Sequence, residues 1–296
     1  MAGLVPWVRL ARPGNSAISL VGTVVGGLSV VGLHAPDLIT LLALLLVAGL
    51  VPFLVTSAGN ALNDFLDVEG DRINHPERPI PSGDISPDGA RRFSIVLFAL
   101  SGVPLAVLPA VGLLSGGAVW EDLLEMMAIW IASIILLVNY ETRTKARGIT
   151  GNVTVAFLTG AVFLFGGAAV GHPLPTLPWL LMAFFATLSR EVIKDMEDLE
   201  GDKDRQTLPK TAGIPVATAT ARASVAIAIL LSALPLLTWL APTSLAGMAY
   251  LALVAVSDLT FLLSILWLPR RLHGEQGLSK AAMVLALGAF LGASLH

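Results

Sequence analysis

Asn60-Ala-Leu-Asn63-Asp64-Phe-Leu-Asp67-Val-Glu69-Gly70-Asp71 is the stretch from which the rest of the chain can be read. On a helix turning about 100° per residue, Asn60, Asp64, Asp67 and Asp71 stand at i, i+4, i+7 and i+11. They fall in one narrow stripe, and Glu69 points the other way. The pattern returns 131 positions later, from Asp64 to Asp195, in Glu191-Val-Ile-Lys194-Asp195-Met-Glu-Asp198-Leu-Glu200-Gly201-Asp202. Glu191, Asp195, Asp198 and Asp202 take the same four offsets, and the octets 64–71 and 195–202 agree at five of eight positions.

Like charges at i, i+4 repel and destabilise a helix, so stacked carboxylates call for a compensating cation. A single acidic stretch is ordinarily a solvated helix end, but a duplicated, face-aligned pair points to a shared site. Carboxylate oxygens suit a hard divalent ion. Mg²⁺ typically sits between one or two carboxylates and a substrate phosphate, so the pattern implies a phosphate-bearing ligand.

The surroundings are apolar. Of the 296 residues 55% are hydrophobic and only 13% charged, and the mean hydropathy is +0.80, which places the chain in a bilayer rather than in water. There is no cysteine, which excludes disulfides and thiolate metal sites. No nucleic-acid partner is expected. Stretches able to cross about 30 Å of hydrocarbon lie near 15–33, 38–62, 92–114, 120–140, 151–170, 176–195, 217–239, 245–268 and 278–295, which makes nine spans. Arg9 and Arg12 precede the first as in a signal peptide, but its length and the lack of an Ala-x-Ala-like site favour a retained helix.

All eighteen lysines and arginines fall in one alternate set of connections: the N-terminus, 63–92, 141–150, 190–222 and 269–280. Positive residues stay on the cytoplasmic side. The expectation is a multi-pass protein of the cell membrane with its N-terminus cytoplasmic, its C-terminus external and both acidic stretches at the cytoplasmic ends of spans 2 and 6. An offset of 131 residues fits four spans. The chain therefore reads as one transmembrane domain, 1–296, of two parallel pseudo-repeats, about 1–145 and 146–270, with a ninth helix at about 278–295. Such repeats would set spans 2 and 6 face to face across a central cavity.

Other segments supply cations. Arg12-Pro13-Gly14-Asn15 reads as a helix start with Asn15 as cap, and Arg12 and Asn15 are also candidate ligand contacts. Pro52 should kink span 2, and Gly59 admits another backbone beside Asn60. Arg72 to Gly83 holds three prolines and two arginines, Arg72 and Arg78, suited to phosphate capture. Its His75 is an ordinary loop histidine. Tyr140, Arg143, Lys145 and Arg147 close span 4, and Lys145 can reach the same phosphate. Gly160, Gly166 and Gly167 allow tight packing in span 5 or leave room. Lys194 stands where the first stretch has neutral Asn63. Asp258 in span 8 is an intramembrane carboxylate, functional by default or bonded to neighbouring hydroxyls.

These residues resemble the UbiA family of intramembrane prenyltransferases. Asn60-x-x-Asn63-Asp64-x-x-Asp67-x-x-x-Asp71 is similar to the family's first aspartate-rich motif, Asp198-x-x-x-Asp202 to its second, and Tyr140 to Lys145 to its tyrosine-lysine element. Asn74-His-Pro-Glu-Arg78-Pro79-Ile-Pro-Ser-Gly resembles a segment shared by the lipid-forming and chlorophyll-forming branches. Arg190 to Asp202 and the Gly151-Asn-Val-Thr-Val-Ala run resemble the lipid-forming branch.

The resemblance implies an all-α membrane bundle with a cavity open to the cytoplasm and sideways to lipid, using Mg²⁺ and a prenyl diphosphate. It implies two ions held by Asn60, Asp64, Asp67, Asp71, Asp195, Asp198 and Asp202. Arg72, Arg78, Lys145, Lys194 and Asn15 would contact the diphosphate, and Tyr140 is a candidate base. Ionisation would give an allylic cation, attacked by a lipid-like acceptor. In the lipid-forming branch that is the glycerol hydroxyl of geranylgeranylglyceryl phosphate. The alternatives are prenylation of an aromatic acceptor such as hydroxybenzoate and, in another class, a divalent-cation transporter.

Overall fold

The computed structural model describes residues 3–114, 120–145, 147–199, 206–269 and 275–296. Its described residues form helices α1 (Leu4–Ala11), α2 (Pro13–Val31), α3 (Leu38–Leu66), α4 (Val68–Asn74), α5 (Pro87–Leu100), α6 (Gly102–Leu114), α7 (Trp120–Asn139), α8 (Ile149–Ala168), α9 (Leu177–Glu197), α10 (Leu208–Ala212), α11 (Ile214–Ser232), α12 (Leu234–Thr238), α13 (Leu245–Leu266) and α14 (Glu275–Ala293). Arg147 and Gln206 make one isolated β-bridge.

Capping explains several starts. Asp37 accepts from the Thr40 amide, Ser86 from Gly89 and Ser244 from Gly247, so a side-chain oxygen satisfies a helix N–H that has no intrahelical partner. The Thr40 hydroxyl and amide hold the Asp37 carboxyl below its ordinary range. α3 runs unbroken through Pro52. Arg12, not Asn15, occupies the cap between α1 and α2, with φ 49° and ψ 61°, a left-handed conformation uncommon outside glycine. Asn15 lies in the first turn of α2 instead.

Eight helical segments among the described residues are long and apolar enough to cross a membrane: Pro13–Val31, Leu38–Leu66, Pro87–Val111, Asp122–Thr144, Ile149–Ala168, Leu174–Glu197, Ile214–Thr238 and Leu245–Leu266. Each coincides with an expected span. The ninth expected span is α14, whose apolar part, Gly277–Ala293, is shorter than these. Large apolar side chains such as Ile135, Leu230 and Leu237 face outward. A contiguous apolar exterior of this kind needs lipid rather than water around it.

The helices form a continuous wall. α2 packs on α3 and α8, α8 on α9, α9 on α11 and α14, and α13 on α14. Glycines set the closest approaches. A Cβ on Gly166 would lie 2.0 Å from the Thr23 carbonyl oxygen of α2, and one on Gly160 2.6 Å from that of Leu180 on α9. Gly59 behaves differently from expectation: it makes room for the Leu137 side chain of α7, not for a backbone. One core cluster joins α2, α8, α9, α13 and α14 around Trp179, which is 1% exposed. Its indole donates to Ser29 Oγ at 2.8 Å, so the buried N–H is satisfied. A second core cluster, around Leu45, Leu108 and Phe165, anchors α3, α6 and α8.

Candidate active site

The wall encloses a cavity of about 1310 Å³. Its polar rim is built where helix ends meet: the start of α2, the end of α3 with α4, the end of α7, and the end of α9. Beneath the rim the lining is mostly apolar, with Ile18 and Gly22 of α2, Val51 and Val55 of α3, Leu158 of α8 and Leu287 of α14, interrupted by hydroxyl side chains and Asp258. Charge on one level and hydrocarbon below suit an amphiphile whose head stays at the interface.

The first acidic stretch does not stay one helix. α3 ends at Leu66, Asp67 adopts φ −93° and ψ 11°, and α4 restarts at Val68. Asn60, Asp67 and Asp71 line the cavity. Asp64, the fourth residue of the stripe, lies behind the wall. Arg12 stands at the wall in its place and donates to Asp64, whose side chain is 2% exposed. Arg78 Nη1 lies 3.5 Å from Asp64 and 2.6 Å from both Asp71 oxygens. Asn15 donates to Asn60 Oδ1 at 3.3 Å, and Asn60 donates to the Ala11 carbonyl at 3.1 Å.

Arg72 lies apart from the other cations. It is exposed, pairs with Glu69 at 2.9 Å and is absent from the cavity wall. As the next residue on α4 it points about 100° away from Asp71, and Arg78, returning from the proline-rich turn, takes the rim position. His75 also lines the cavity and stands 3.6 Å from Glu77.

The end of α7 departs from α-helical hydrogen bonding into a π-turn over Tyr140–Thr144, a local register shift common at functional sites. It turns Tyr140, Glu141 and Lys145 toward the cavity together. Lys145 Nζ lies 2.7 Å from Asp67 Oδ2 and 3.0 Å from Glu141 Oε2, and Asn63 Nδ2 donates to Glu141 Oε2 at 2.9 Å. Glu141, 6% exposed at its side chain, is a rim residue that the reading of the sequence missed. Its spacing of i, i+4 from Lys145 was the available signal.

On α9, Glu191, Lys194 and Asp198 line the cavity, and Arg190 pairs with Glu191. Asp195 is not part of the wall and accepts from Asn152 Nδ2 of α8 at 2.8 Å. It sits on the α8 side of the same helix face, where Asn152 holds it, while Glu191 and Asp198 line the cavity. Asp202 lies outside the described residues. Deeper down, Asp258 lines the cavity and accepts from Ser232 Oγ at 2.7 Å. Both readings of it, cavity group and hydroxyl partner, hold together.

Among the described residues no three acidic or histidine side chains converge tightly enough to cage a metal by themselves. The donors nevertheless fit Mg²⁺. Asp67, Asp71, Glu191 and Asp198 offer hard oxygens at one rim, and Mg²⁺ completes its shell with water and substrate phosphate.

A model of the UbiA prenyltransferase family matches residues 19–288. The chain belongs to the UbiA prenyltransferase family. It is 37% identical over 260 residues to a digeranylgeranylglyceryl phosphate synthase of Methanoculleus marisnigri, covering 86% of this chain and 84% of that one. It is 36% identical over 291 residues to one of Methanothrix thermoacetophila, covering 96% and 97%. Among solved structures, a digeranylgeranylglyceryl phosphate synthase superposes with a TM-score of 0.76 at 29% identity, covering 100% of this chain and 99% of that one. A UbiA homologue from Archaeoglobus fulgidus bound to GPP and Mg²⁺ superposes with a TM-score of 0.68 at 18% identity, covering 98% and 99%. The chain is thus a multi-pass membrane prenyltransferase, and the transporter reading is set aside.

Proposed function

We propose that the chain transfers a geranylgeranyl group from its diphosphate to the free glycerol hydroxyl of geranylgeranylglyceryl phosphate. The observation that carries this is a single cavity with carboxylates and cations on its rim and apolar walls beneath. Named relatives over nearly the whole chain support the same reaction. Mg²⁺ bound by Asp67, Asp71 and Asp198, with Asn60 as a neutral donor, would supply Lewis-acid neutralisation of the leaving diphosphate. Two ions are in keeping with acidic groups on two sides of the rim.

The protein's own groups do the rest. Lys145, Arg78 and Lys194 face the diphosphate oxygens and offset charge as it develops. Asn15 holds Asn60 in orientation. Apolar walls exclude water from the allylic cation left when the C–O bond breaks. Tyr140 stands at the rim beside Glu141, where its hydroxyl can relay the proton of the attacking hydroxyl to a carboxylate without a metal or to the departed diphosphate.

Orientation belongs to the same proposal: the positive-inside bias supports a cytoplasmic rim and N-terminus and an external C-terminus. So does the description of one domain built from pseudo-repeats, supported by α3 and α9 each bringing an acidic end to one cavity.

The test is product mass. Purified protein with Mg²⁺, geranylgeranyl diphosphate and either geranylgeranylglyceryl phosphate or hydroxybenzoate should yield the ether-linked lipid phosphate from the first pair. A C-prenylated phenol from the second, without the ether, overturns the choice of acceptor.

A further inference from the structure

The cations that face the cavity fall into two sets. Arg12, Arg78, Lys145 and Arg190 are each held by a carboxylate. Among the described residues Lys194 and Lys280 also line the cavity and make no ion pair. Lys194 belongs to the second acidic stretch and is already placed on the diphosphate. Lys280 stands elsewhere, near the start of α14, a helix that packs on α9 and α13.

Below Lys280, Met283, Val284, Leu287 and Phe290 line the same cavity at i+3, i+4, i+7 and i+10. They make an apolar strip about 10 Å long at 1.5 Å per residue. α14 therefore offers the cavity one cation at its polar end and hydrocarbon beneath it. That is the complement of an anionic head on an isoprenoid chain. A lysine serving only as a headgroup anchor would turn its stem to the outer lipid face; this one heads a strip that lines the cavity, with Val284 exposed at its open side. α2, which packs on α14, has its own head and track, with Arg12 and Asn15 above Ile18 and Gly22, beside the acidic cluster suited to a metal-bound diphosphate.

The proposed reaction unites two amphiphiles with anionic heads, and two such heads repel at short range unless separate cations receive them. We infer that Lys280 binds the phosphate monoester of the acceptor, and that the Met283–Phe290 face of α14 carries the acceptor's chain. This rests on the proposed reaction and names its acceptor subsite. The ammonium donates to phosphate oxygens as a point charge, and the chain runs down into the apolar lining, leaving the glycerol hydroxyl at rim level beside the prenyl C1.

The test uses the full chain, as wild type, Lys280→Gln and Lys280→Arg, in detergent or nanodiscs with Mg²⁺. Initial rates are measured against each substrate with the other saturating. In Lys280→Gln the KM for geranylgeranylglyceryl phosphate should rise about tenfold to a hundredfold, the range for loss of one charge-assisted contact. The KM for geranylgeranyl diphosphate should stay within about twofold, and Lys280→Arg should recover most of the acceptor affinity, since a guanidinium keeps the charge. Geranylgeranylglycerol, which lacks the phosphate, should be discriminated against by the wild type and not by Lys280→Gln. An unchanged acceptor KM in Lys280→Gln, with the wild type turning over, overturns the subsite alone. A parallel rise in both KM values marks a general or annular-lipid effect and likewise overturns it. A wild type that makes no ether product overturns the reaction and the subsite together.

Discussion

In the first acidic stretch, Asp64, Asp67 and Asp71 are each clasped by a cation from another segment: Arg12, Lys145 and Arg78. In the second, Asp198 makes no ion pair among the described residues, Glu191 pairs with its chain neighbour Arg190, and Asp195 accepts from a neutral amide of Asn152. The main-chain offsets are repeated; the charge balance is not. One side is paired within the protein before any metal arrives, and the other leaves more of its charge to be met by a ligand. Removing a partner should therefore unfold the first side and disable the second.

The largest expected effect is on stability at the first side. Arg12→Ala leaves the Asp64 carboxylate buried with Arg78 3.5 Å away as its remaining cation, and should cost about 3 kcal/mol, the lower end for breaking a buried pair. Thermal unfolding of the purified protein reads this directly, and an unchanged midpoint would erase the contrast between the two sides. Asp198→Asn should do the reverse: kcat falls about a hundredfold, roughly 2.7 kcal/mol of barrier, while the unfolding midpoint stays put because an exposed, unpaired carboxylate contributes little to the fold. A large loss of stability in this variant would mean that the second side is also self-neutralised.

Smaller effects sharpen the comparison. Asn152→Ala removes the amide that Asp195 accepts from and should cost about 1.5 kcal/mol, as for a hydrogen bond to a charged group. A catalytic loss greater than a hundredfold without that destabilisation would return Asp195 to the metal set. Arg72→Ala breaks only an exposed i, i+3 pair with Glu69 and should change stability by less than about 0.5 kcal/mol. Its KM for the prenyl diphosphate should match the wild type, and a tenfold rise would put Arg72 back at the rim.

Much of the fold was legible because a bilayer imposes a length and a polarity on every crossing segment. The eight long spans follow from apolar runs of about twenty residues. The acidic motif was legible because helical periodicity converts spacing into a face. Local spacing does not fix which way a side chain finally points, because partners from distant segments decide it. Asp64 lost the cavity to Arg12, a residue 52 positions away, and Asp195 lost it to α8. Arg72, one residue past Asp71, points about 100° away from it and pairs with Glu69 instead. Glu141 was missed because its position depends on a π-turn that no hydrophobic pattern announces.

The sequence by itself determined that the chain is an apolar helical bundle with two matched acidic helix ends, since hydropathy and local spacing fix those without reference to distant residues. Only the tertiary structure decided which carboxylates reach the cavity, which are neutralised, and which cations remain available. Those outcomes depend on close contacts between segments far apart in the chain, where a single glycine at Thr23 or an arginine at Asp64 settles which side chain occupies the wall.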